Sequence, residues 1–524
     1  MNPFNSIKAR IDSFKNTRKS KYWEYTKQYL DGEIWDKTFF FEAFGGVNFQ
    51  GNPYYVYKEL FKDPTYAEYS AIIAHKNPKL LQEDLEKRGL IDGRVRIVEF
   101  GSDAYKEAVE HAKYLVNNVG FNIDFIKKSG QVYLNTWHGS PLKTIGRSIQ
   151  GDPFACMNGQ RNFLLADYLL APNELTKNAF AFDYMVDGIM PGELYLGGFP
   201  RNSVFFDESE RATVRKKYGL DGVTSIFYMP TWRGTASGGS RKVDQISEME
   251  RLAKELGDKY RIYVKFHPAM ASPNTQFEYC YQMPQNIEVY EFLNAVDVLI
   301  TDYSSVFFDY ANTGKKIVLY QYDKEEYLKE RGVYPEVEEN TPFPVAYTYE
   351  ELITAIKKDN EPYPQFIERF CKYDGAGAAK AALDKMLSGE GKNNSDAVDL
   401  YVINFPVTDE SLLAMRDKLQ GRNYRFAFLL GKVGFGNVHC WSEINYTALN
   451  VYNRLTAWEK IKEKWHRFVY ALFRCKGSKR KMQELAKREQ TRLFGDMPIG
   501  RIYAKNKKLP ISVRIDAEAW PTVL

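Results

Sequence analysis

Short apolar runs alternate with amphipathic stretches along the chain from about residue 37. In the first half the strand-like runs are KTFFFEAF, RVRIVEF, QVYLNTW and DYLLAPN, and the stretch from Asp103 to Val119 predicts a helix. A second series begins near residue 223: TSIFYMPTW, RIYVKFHP, VDVLITDYSS and KKIVLYQY predict strands, and 245–257 predicts a helix. This alternation is typical of an α/β fold with parallel, doubly wound sheets.

The run GGFPRNS at 197–203 is rich in Gly and Pro and separates the two series. We therefore predict two Rossmann-like domains, over 37–204 and 205–388, that face each other across a cleft. In such sheets ligands bind where strands end and helices begin, so the strand ends are where chemistry is expected.

Two further regions flank these domains. Residues 1–36 form a basic segment in which apolar side chains have helical spacing, namely Phe4, Ile7, Ile11 and Phe14. The run GEGKNNSD at 389–396 predicts a linker. The accessory region 397–524 then combines strand-like DLYVINF and YRFAFLL with long basic helical stretches, and its pattern predicts no particular fold.

Composition narrows the class of protein. A hydrophobic share of 44% and a charged share of 27% are those of an ordinary globular protein, and a net charge of +5 is too small to indicate nucleic acid. The five scattered cysteines lack metal-binding spacing and predict reduced thiols. No apolar run reaches the length of about 18 residues that a membrane span needs, and the N-terminus lacks a secretion signal. These features predict a cytoplasmic protein.

One of only six histidines lies in TWHGSPLK at 136–143, where a strand meets a Gly-Ser-Pro turn. A histidine at a strand end can point into a cleft and serve as a general base. His138 is therefore either such a base or a side chain that caps the turn.

Three other strand ends carry candidate phosphate ligands. VKFHP places Lys265 and His267 on one side of an extended segment, which suits an anionic ligand, although both can be unrelated surface cations. TDYSS presents Ser304 and Ser305 at a helix start, which suits phosphate but is also common as a plain cap. YMPTWRGT places Arg233 where it can grip a diphosphate or simply remain solvated.

GFPRN puts Arg201 at the hinge, where it is either a ligand or a turn residue. The chain lacks a GxxxxGK[ST] phosphate loop, a HExxH zinc site, a GxSxG elbow and a clear DxD carboxylate cluster. We therefore predict neither a metal nor a cofactor.

In their order along the chain, these motifs resemble the CDP-glycerol glycerophosphotransferase family, which comprises the teichoic acid polymerases and their relatives. The resemblance covers about residues 37–388 and rests on FFFEAFGGVNFQGNPYYVY, AKYLVNNVGF, QVYLNTWHGSPLKTIG, GGFPRNS, YMPTWRG, VKFHP, DVLITDYSSVFFDYA and FCKYDGAGAAK. The resemblance implies a GT-B architecture and transfer of an alditol phosphate from a CDP-alditol to an acceptor hydroxyl, with release of CMP.

The resemblance also implies roles for individual residues. His138 would be the general base, and His267 with Lys265 would bind or neutralise the diphosphate. The remaining substrate-binding candidates are Gly139, Arg201, Arg233, Thr301, Asp302, Ser304, Ser305 and Asp374. Three positions depart from the family pattern: Ala43 replaces a usual Ser, Ser140 replaces a common Thr, and GAGAAK follows Asp374 where Gly-Lys-Ala-Ser is usual.

Basic and aromatic residues are interleaved over 455–494, where twelve Lys or Arg accompany four Glu. This mixture is typical of a helix that lies on an anionic membrane, and the family's acceptors are lipid-linked. We therefore expect peripheral association with the inner face of the cell membrane. The alternative is an ordinary amphipathic helix packed on the protein body.

The predicted function is transfer of glycerol phosphate or ribitol phosphate from a CDP-alditol to a lipid-linked teichoic acid or capsule precursor. Two alternatives remain: a GT-B glycosyltransferase that uses a nucleotide sugar, and a non-catalytic scaffold of a polymer assembly complex. The alditol, the acceptor, the number of units added and any self-association into a homo-oligomer stay open.

Overall fold

The computed structural model of the chain describes most of residues 33–449 and a few positions beyond them. The described residues are 33–122, 125, 127–128, 130–149, 153–231, 245–265, 277–330, 332–389, 391, 398–403, 407–429, 436, 438–449, 465–466, 468–469, 481 and 511–515. The predicted N-terminal segment is thus almost wholly outside the described residues, as is most of the basic stretch 455–494.

Seven parallel strands form the first sheet, in the order β3-β2-β1-β4-β5-β6-β7. They are β1 (Trp35–Glu42), β2 (Ser70–His75), β3 (Val95–Glu99), β4 (Ala112–Asn117), β5 (Val132–Asn135), β6 (Tyr168–Ala171) and β7 (Glu193–Leu196). Phe39, Phe40 and Phe41 of β1 are all completely buried, because helices cover both faces of a parallel sheet.

Six parallel strands form the second sheet, in the order β10-β9-β8-β11-β12-β13. They are β8 (Thr224–Met229), β9 (Tyr260–Val264), β10 (Tyr281–Gln282), β11 (Val298–Thr301), β12 (Lys316–Tyr320) and β13 (Val345–Ala346). Two parallel α/β sheets joined through the GGFPRNS segment confirm the predicted α/β, GT-B-like fold class.

Fifteen α-helices lie within the described residues. They are α1 (Asn52–Lys62), α2 (Pro78–Lys87), α3 (Asp103–His111), α4 (Met157–Leu165), α5 (Glu174–Asn178), α6 (Glu208–Tyr218), α7 (Gln245–Leu256), α8 (Val289–Ala295), α9 (Val306–Tyr310), α10 (Lys324–Glu330), α11 (Pro335–Asn340), α12 (Tyr349–Lys357), α13 (Pro364–Phe370), α14 (Ala378–Leu387) and α15 (Asp409–Lys418). None of them is long and apolar enough to cross a bilayer.

The predicted helix over Asp103–Val119 is wrong in its second half. Ser102 caps α3 by accepting a hydrogen bond from the Tyr105 amide, but the helix ends at His111 and the chain continues directly as β4. β4 pairs with both β1 and β5, and its last four residues, Tyr114 to Asn117, are buried. A strand that is buried on both faces has a continuous apolar run, which periodicity alone does not distinguish from a buried helix.

The accessory region contains a third sheet in the order β16-β15-β14-β17, which sequence reasoning did not assign to a fold. Its strands are β14 (Val398–Ile403), β15 (Tyr424–Leu429), β16 (Tyr446–Leu449) and β17 (Ile511–Ile515), of which only β17 runs antiparallel to its neighbour. Its apolar residues share one core with the first domain, where Phe426 and Phe428 join Phe163 and Met185.

Helix α14 lies near the end of the second predicted domain and packs against the first. Lys380 donates to Asp63 Oδ2 at 2.9 Å, and Tyr66 donates to Asp384 Oδ1 at 2.7 Å. The two α/β regions are therefore joined both by the GGFPRNS segment and by the contacts of α14 with residues of the first region.

Candidate active site

Both α/β sheets have a point where the strand order reverses, and such points mark ligand crevices at the carboxyl ends of the strands. In the first sheet the reversal lies between β1 and β4, next to β5. In the second it lies between β8 and β11. The TWHGSPLK stretch follows β5 and TDYSS begins in β11, so both motifs lie beside these crevices.

The turn that carries His138 has an unusual backbone. Trp137 has φ 51°, a left-handed conformation that a bulky side chain rarely adopts. Asn135 accepts a hydrogen bond from the Trp137 amide at 2.9 Å, and Asn52 Nδ2 donates to the Thr136 and Trp137 carbonyls at 3.2 and 3.1 Å. Strained residues persist when their surroundings hold them, and they cluster at functional sites.

The imidazole of His138 stacks on Trp137, with ring centroids 4.1 Å apart and planes 23° apart. Its side chain is exposed to solvent, yet the protein surrounds it closely enough to disfavour charge. This desolvation, with a smaller contribution from the Arg201 cation, lowers the pKa of His138 to about 4. The ring is therefore neutral at physiological pH and can accept a proton.

The two motifs meet at Gly139 and Ser305. A Cβ at Gly139 would lie 2.5 Å from Ser305 Oγ, so a larger residue here would require the Ser305 hydroxyl to move. Ser305 precedes α9, and its hydroxyl caps no backbone amide among the described residues of that helix. Ser304 is half-buried, and its Oγ accepts from the Val306 amide at 3.4 Å. The serine hydroxyls thus border the turn of His138.

The chain that follows His138 also contacts the second domain. The Thr144 amide donates to the Gly332 carbonyl at 3.0 Å, and the Tyr334 amide donates to the Leu142 carbonyl at 3.0 Å. The TWHGSPLK stretch is therefore fixed to both domains.

Arg201 lies beneath the turn, with 2% of its side chain exposed. Its guanidinium bonds both carboxylate oxygens of Asp309 and donates to the His138 carbonyl at 2.8 Å. It also lies over the Phe199 and Tyr290 rings. The predicted contact of Arg201 with substrate stays a prediction, whereas these protein contacts make it a support of the His138 turn.

Asp374 occupies a similar supporting position on the hinge. It accepts hydrogen bonds from the Phe199 amide at 2.9 Å, Asn202 Nδ2 at 2.8 Å and Asn312 Nδ2 at 2.9 Å. Burial raises the pKa of Asp374 to about 6, although the two amides partly oppose the shift. Its proximity to the nucleotide stays a prediction.

Thr301 and Asp302 hold the end of β11. The Thr301 hydroxyl donates to the Met229 carbonyl at 2.7 Å, and Asp302 Oδ1 accepts from the Thr231 amide at 2.8 Å. These bonds join the strand ends on either side of the crevice in the second sheet.

Lys265 follows β9 and is half-buried. Burial lowers the pKa of Lys265, and the Glu288 carboxylate partly opposes this shift.

Two predicted ligands, Arg233 and His267, lie outside the described residues. Among the residues that the structure does describe, no three His, Cys, Asp or Glu side chains converge as metal ligands would.

Sequence reasoning missed Asn52, which bonds the His138 turn directly, and Asp309, which acts on it through Arg201. Asn52 lies in the FFFEAFGGVNFQGNPYYVY segment, where it follows Gly51 as the first residue of α1 and precedes a proline in the same turn. Asp309 lies in VFFDYA, directly after the Ser-Ser pair. An isolated Asp on an otherwise apolar helix was the available signal, because a buried carboxylate requires a partner.

The model of the family described as CDP-Glycerol:Poly(glycerophosphate) glycerophosphotransferase matches residues 25–387. The chain belongs to this family. The match includes both α/β sheets and every candidate site residue, and it ends before the third sheet.

Curated relatives agree with this assignment. The chain is 28% identical over 391 residues to the teichoic acid poly(glycerol phosphate) polymerase of Staphylococcus epidermidis, which covers 70% of this chain and 52% of the relative. It is 28% identical over 382 residues to the Bacillus subtilis protein of the same name, covering 68% of this chain and 49% of the relative. The chain thus spans about half the length of these two relatives.

A solved structure resembles this glycerophosphotransferase-family chain as well. It is a variant of the wall teichoic acid polymerase TagF that was soaked with CDPG, and it has 27% identity and a TM-score of 0.60. The similarity covers 74% of this chain and 97% of the solved chain.

Proposed function

We propose that this protein transfers glycerol phosphate or ribitol phosphate from a CDP-alditol to a hydroxyl of a lipid-linked teichoic acid or capsule precursor, and releases CMP. One observation carries the proposal: His138, whose ring is neutral, directly precedes Gly139, the residue that approaches Ser305 of the facing sheet. Family membership supplies the substrate class, since the relatives are teichoic acid polymerases by name.

In the proposed reaction His138 takes the proton of the acceptor hydroxyl. The resulting oxygen attacks the phosphorus that carries the alditol, the bond to the bridging oxygen of the diphosphate breaks, and CMP leaves with those electrons. Such a transfer depends on positioning and charge stabilisation rather than on a covalent intermediate. The bound turn of His138, which both domains hold, suits this demand for positioning.

The facing edge of the second sheet would hold the diphosphate. Ser304, Ser305 and Lys265 lie at the ends of β11 and β9, where hydroxyl and ammonium donors suit phosphate oxygens. His267 and Arg233 are proposed to complete this set on sequence grounds. A bound diphosphate would also raise the pKa of His138, because nearby negative charge favours the imidazolium ion.

The test is an assay of CMP released from CDP-glycerol or CDP-ribitol in the presence of a lipid-linked acceptor, with product length measured. We expect His138→Ala to abolish release while thermal unfolding is unchanged, and near-normal turnover would refute the assignment. His75→Ala is the matched control, since His75 also ends a strand but bonds the Asn77 carbonyl, which lies only two residues further along the chain.

The same assay separates the alternatives. Release of UDP or GDP from a nucleotide sugar, without CMP release from either CDP-alditol, would favour a glycosyltransferase. Absence of turnover with all donors would favour a scaffold.

We further propose that the basic region around 455–494 binds the anionic inner face of the membrane. The side chains of Trp465 and Phe468 are 62% and 57% exposed, with ring centroids 6.2 Å apart, which suits insertion at a lipid interface. Trp465→Ser/Phe468→Ser should weaken cosedimentation with vesicles that contain anionic lipid, whereas binding that is insensitive to both the variant and salt would contradict it.

A further inference from the structure

We infer that the third sheet positions the proposed catalytic histidine, acting through Gln160 and the segment that carries Tyr184 and Met185. This inference rests on the proposed role of His138. It assigns a catalytic support function to a region that lies beyond the family match and that sequence reasoning left without one.

The first step is the packing around Trp137, whose indole fixes the plane on which the His138 ring lies. Three aromatic rings pack edge-on or nearly so against Trp137: Phe163 at 5.4 Å, Phe180 at 5.5 Å and Tyr184 at 5.9 Å between centroids. Because Trp137 is itself in a left-handed backbone conformation, its orientation depends on these neighbours. A shift of Tyr184 would therefore move the indole and the imidazole together.

The second step is the strained segment that carries Tyr184. Residues Ala179–Asp183 form a π-helical turn, and Met185 has φ 55°, again unusual for a long side chain. A wider turn of this kind is frequent at functional sites. Gly159 of α4 lets the Tyr184 ring approach closely, since a Cβ there would lie 2.6 Å from Tyr184 Cε1.

The third step is the set of contacts from the third sheet to this segment. Gln160 is buried and donates both amide hydrogens, to the Tyr184 carbonyl at 2.9 Å and to the Tyr446 carbonyl of β16 at 3.0 Å. The Tyr446 amide donates to Met185 Sδ at 3.4 Å. One side chain thus joins the edge of the third sheet to the residue that packs on Trp137.

Arg425 of β15 adds a second connection. Its guanidinium is buried and donates to the carbonyls of Met185 at 3.1 Å and Asp187 at 2.6 Å. Burial lowers the pKa of Arg425 to about 10, although the nearby Asp187 carboxylate partly opposes the shift. A buried cation costs stability unless it is well bonded, and these two carbonyls supply part of that bonding while Arg425 holds the backbone of the segment.

The test compares Gln160→Leu with Tyr446→Phe in the full-length chain. Gln160→Leu removes both donors of the connection at similar volume. Tyr446→Phe removes a hydrogen bond from the same strand to the Pro153 carbonyl (2.8 Å) but leaves the Tyr446 backbone groups in place, so it is the matched control. Both variants weaken the contact between the third sheet and the first domain, but only the first acts on Tyr184.

For Gln160→Leu we expect kcat to fall roughly tenfold or more with the donor KM changed less than about twofold, because small displacements of a catalytic group are costly. The apparent pKa in kcat/KM should also rise, as a looser stack on Trp137 admits water to His138. Tyr446→Phe should keep kcat and the pH profile. Gly159→Ala, which pushes on the Tyr184 ring, should act like Gln160→Leu.

The inference is overturned if Gln160→Leu and Tyr446→Phe lose equal activity in proportion to lost stability, with an unchanged pH profile. That result would make the third sheet a general stabiliser of the fold. Failure of the proposed function is distinguishable from this, because His138→Ala would then remain active.

Discussion

Arg201 and Asp309 form a buried ion pair between the hinge and α9, with 2.8 Å between Nη2 and Oδ2 and at most 3% of either side chain exposed. The same guanidinium holds the carbonyl of His138. The pair therefore links the domain connection to the proposed catalytic turn.

Removing one partner of this pair should be costly. Arg201→Met leaves the Asp309 carboxylate buried without its cation, which we expect to lower the free energy of unfolding by about 3–5 kcal/mol. Replacing both partners, as Arg201→Met/Asp309→Leu, should recover much of that loss. Urea unfolding of the two single variants and the double variant measures the coupling free energy between Arg201 and Asp309. Purely additive losses of stability would contradict the prediction.

The rate of CMP release should depend on pH in two ways. Because the pKa of His138 is about 4, the acid limb of kcat/KM for the donor should lie well below the ordinary histidine value near 6.5. Bound diphosphate should raise the pKa, so the acid limb of kcat should lie at higher pH than that of kcat/KM. Coincident limbs near 6.5 would refute this, provided that circular dichroism shows the protein folded over the range.

Gly139→Ala should reduce turnover by about tenfold or more, because its methyl group would displace the Ser305 hydroxyl from its place beside the His138 turn. Gly93→Ala is the control, since its Cβ would meet no atom within 4 Å. Ser305→Ala should cost less activity in the Gly139→Ala background than alone, because it removes the clashing hydroxyl. If Ser305→Ala lowers activity equally in the natural chain and in the Gly139→Ala variant, the close approach of Gly139 to Ser305 does not affect turnover.

Glu42 at the end of β1 should make stability pH-dependent. It accepts hydrogen bonds from Tyr105 at 2.6 Å and Asn117 at 3.1 Å, and burial raises its pKa to about 7. The folded protein therefore holds this proton more tightly than the unfolded chain. Its stabilising effect is complete below about pH 4.5 and is lost as pH rises through about 7.

Glu42→Gln keeps acceptor and donor capacity without the ionisation. We expect the difference in unfolding free energy between the variant and the natural chain to change by about 3 kcal/mol between pH 4.5 and 8. Chemical denaturation across that range measures it. Parallel stability profiles would show that Glu42 does not titrate in this window.

The sequence by itself determined the α/β class and where most strands lie. Runs such as KTFFFEAF and VDVLITDYSS are apolar on both faces, and parallel strands between helix layers require this. It also predicted that His138 and Ser305 follow strands. Parallel strands present their carboxyl ends at one edge of the sheet. A position directly after a strand therefore already places His138 and Ser305 at the ligand-binding edges of their sheets.

The tertiary structure alone decided which residues touch. In the sequence Arg201 is either a ligand or a turn residue, and its pairing with Asp309, 108 positions away, is visible only in the structure. Likewise β4 was mistaken for helix. The strand-like runs DLYVINF and YRFAFLL are strands β14 and β15, but the sequence did not predict that they pair in a third sheet. Periodicity reports the local environment of a segment, whereas the approach of Gly139 to Ser305 and of Gln160 to Tyr446 depends on how separate sheets pack.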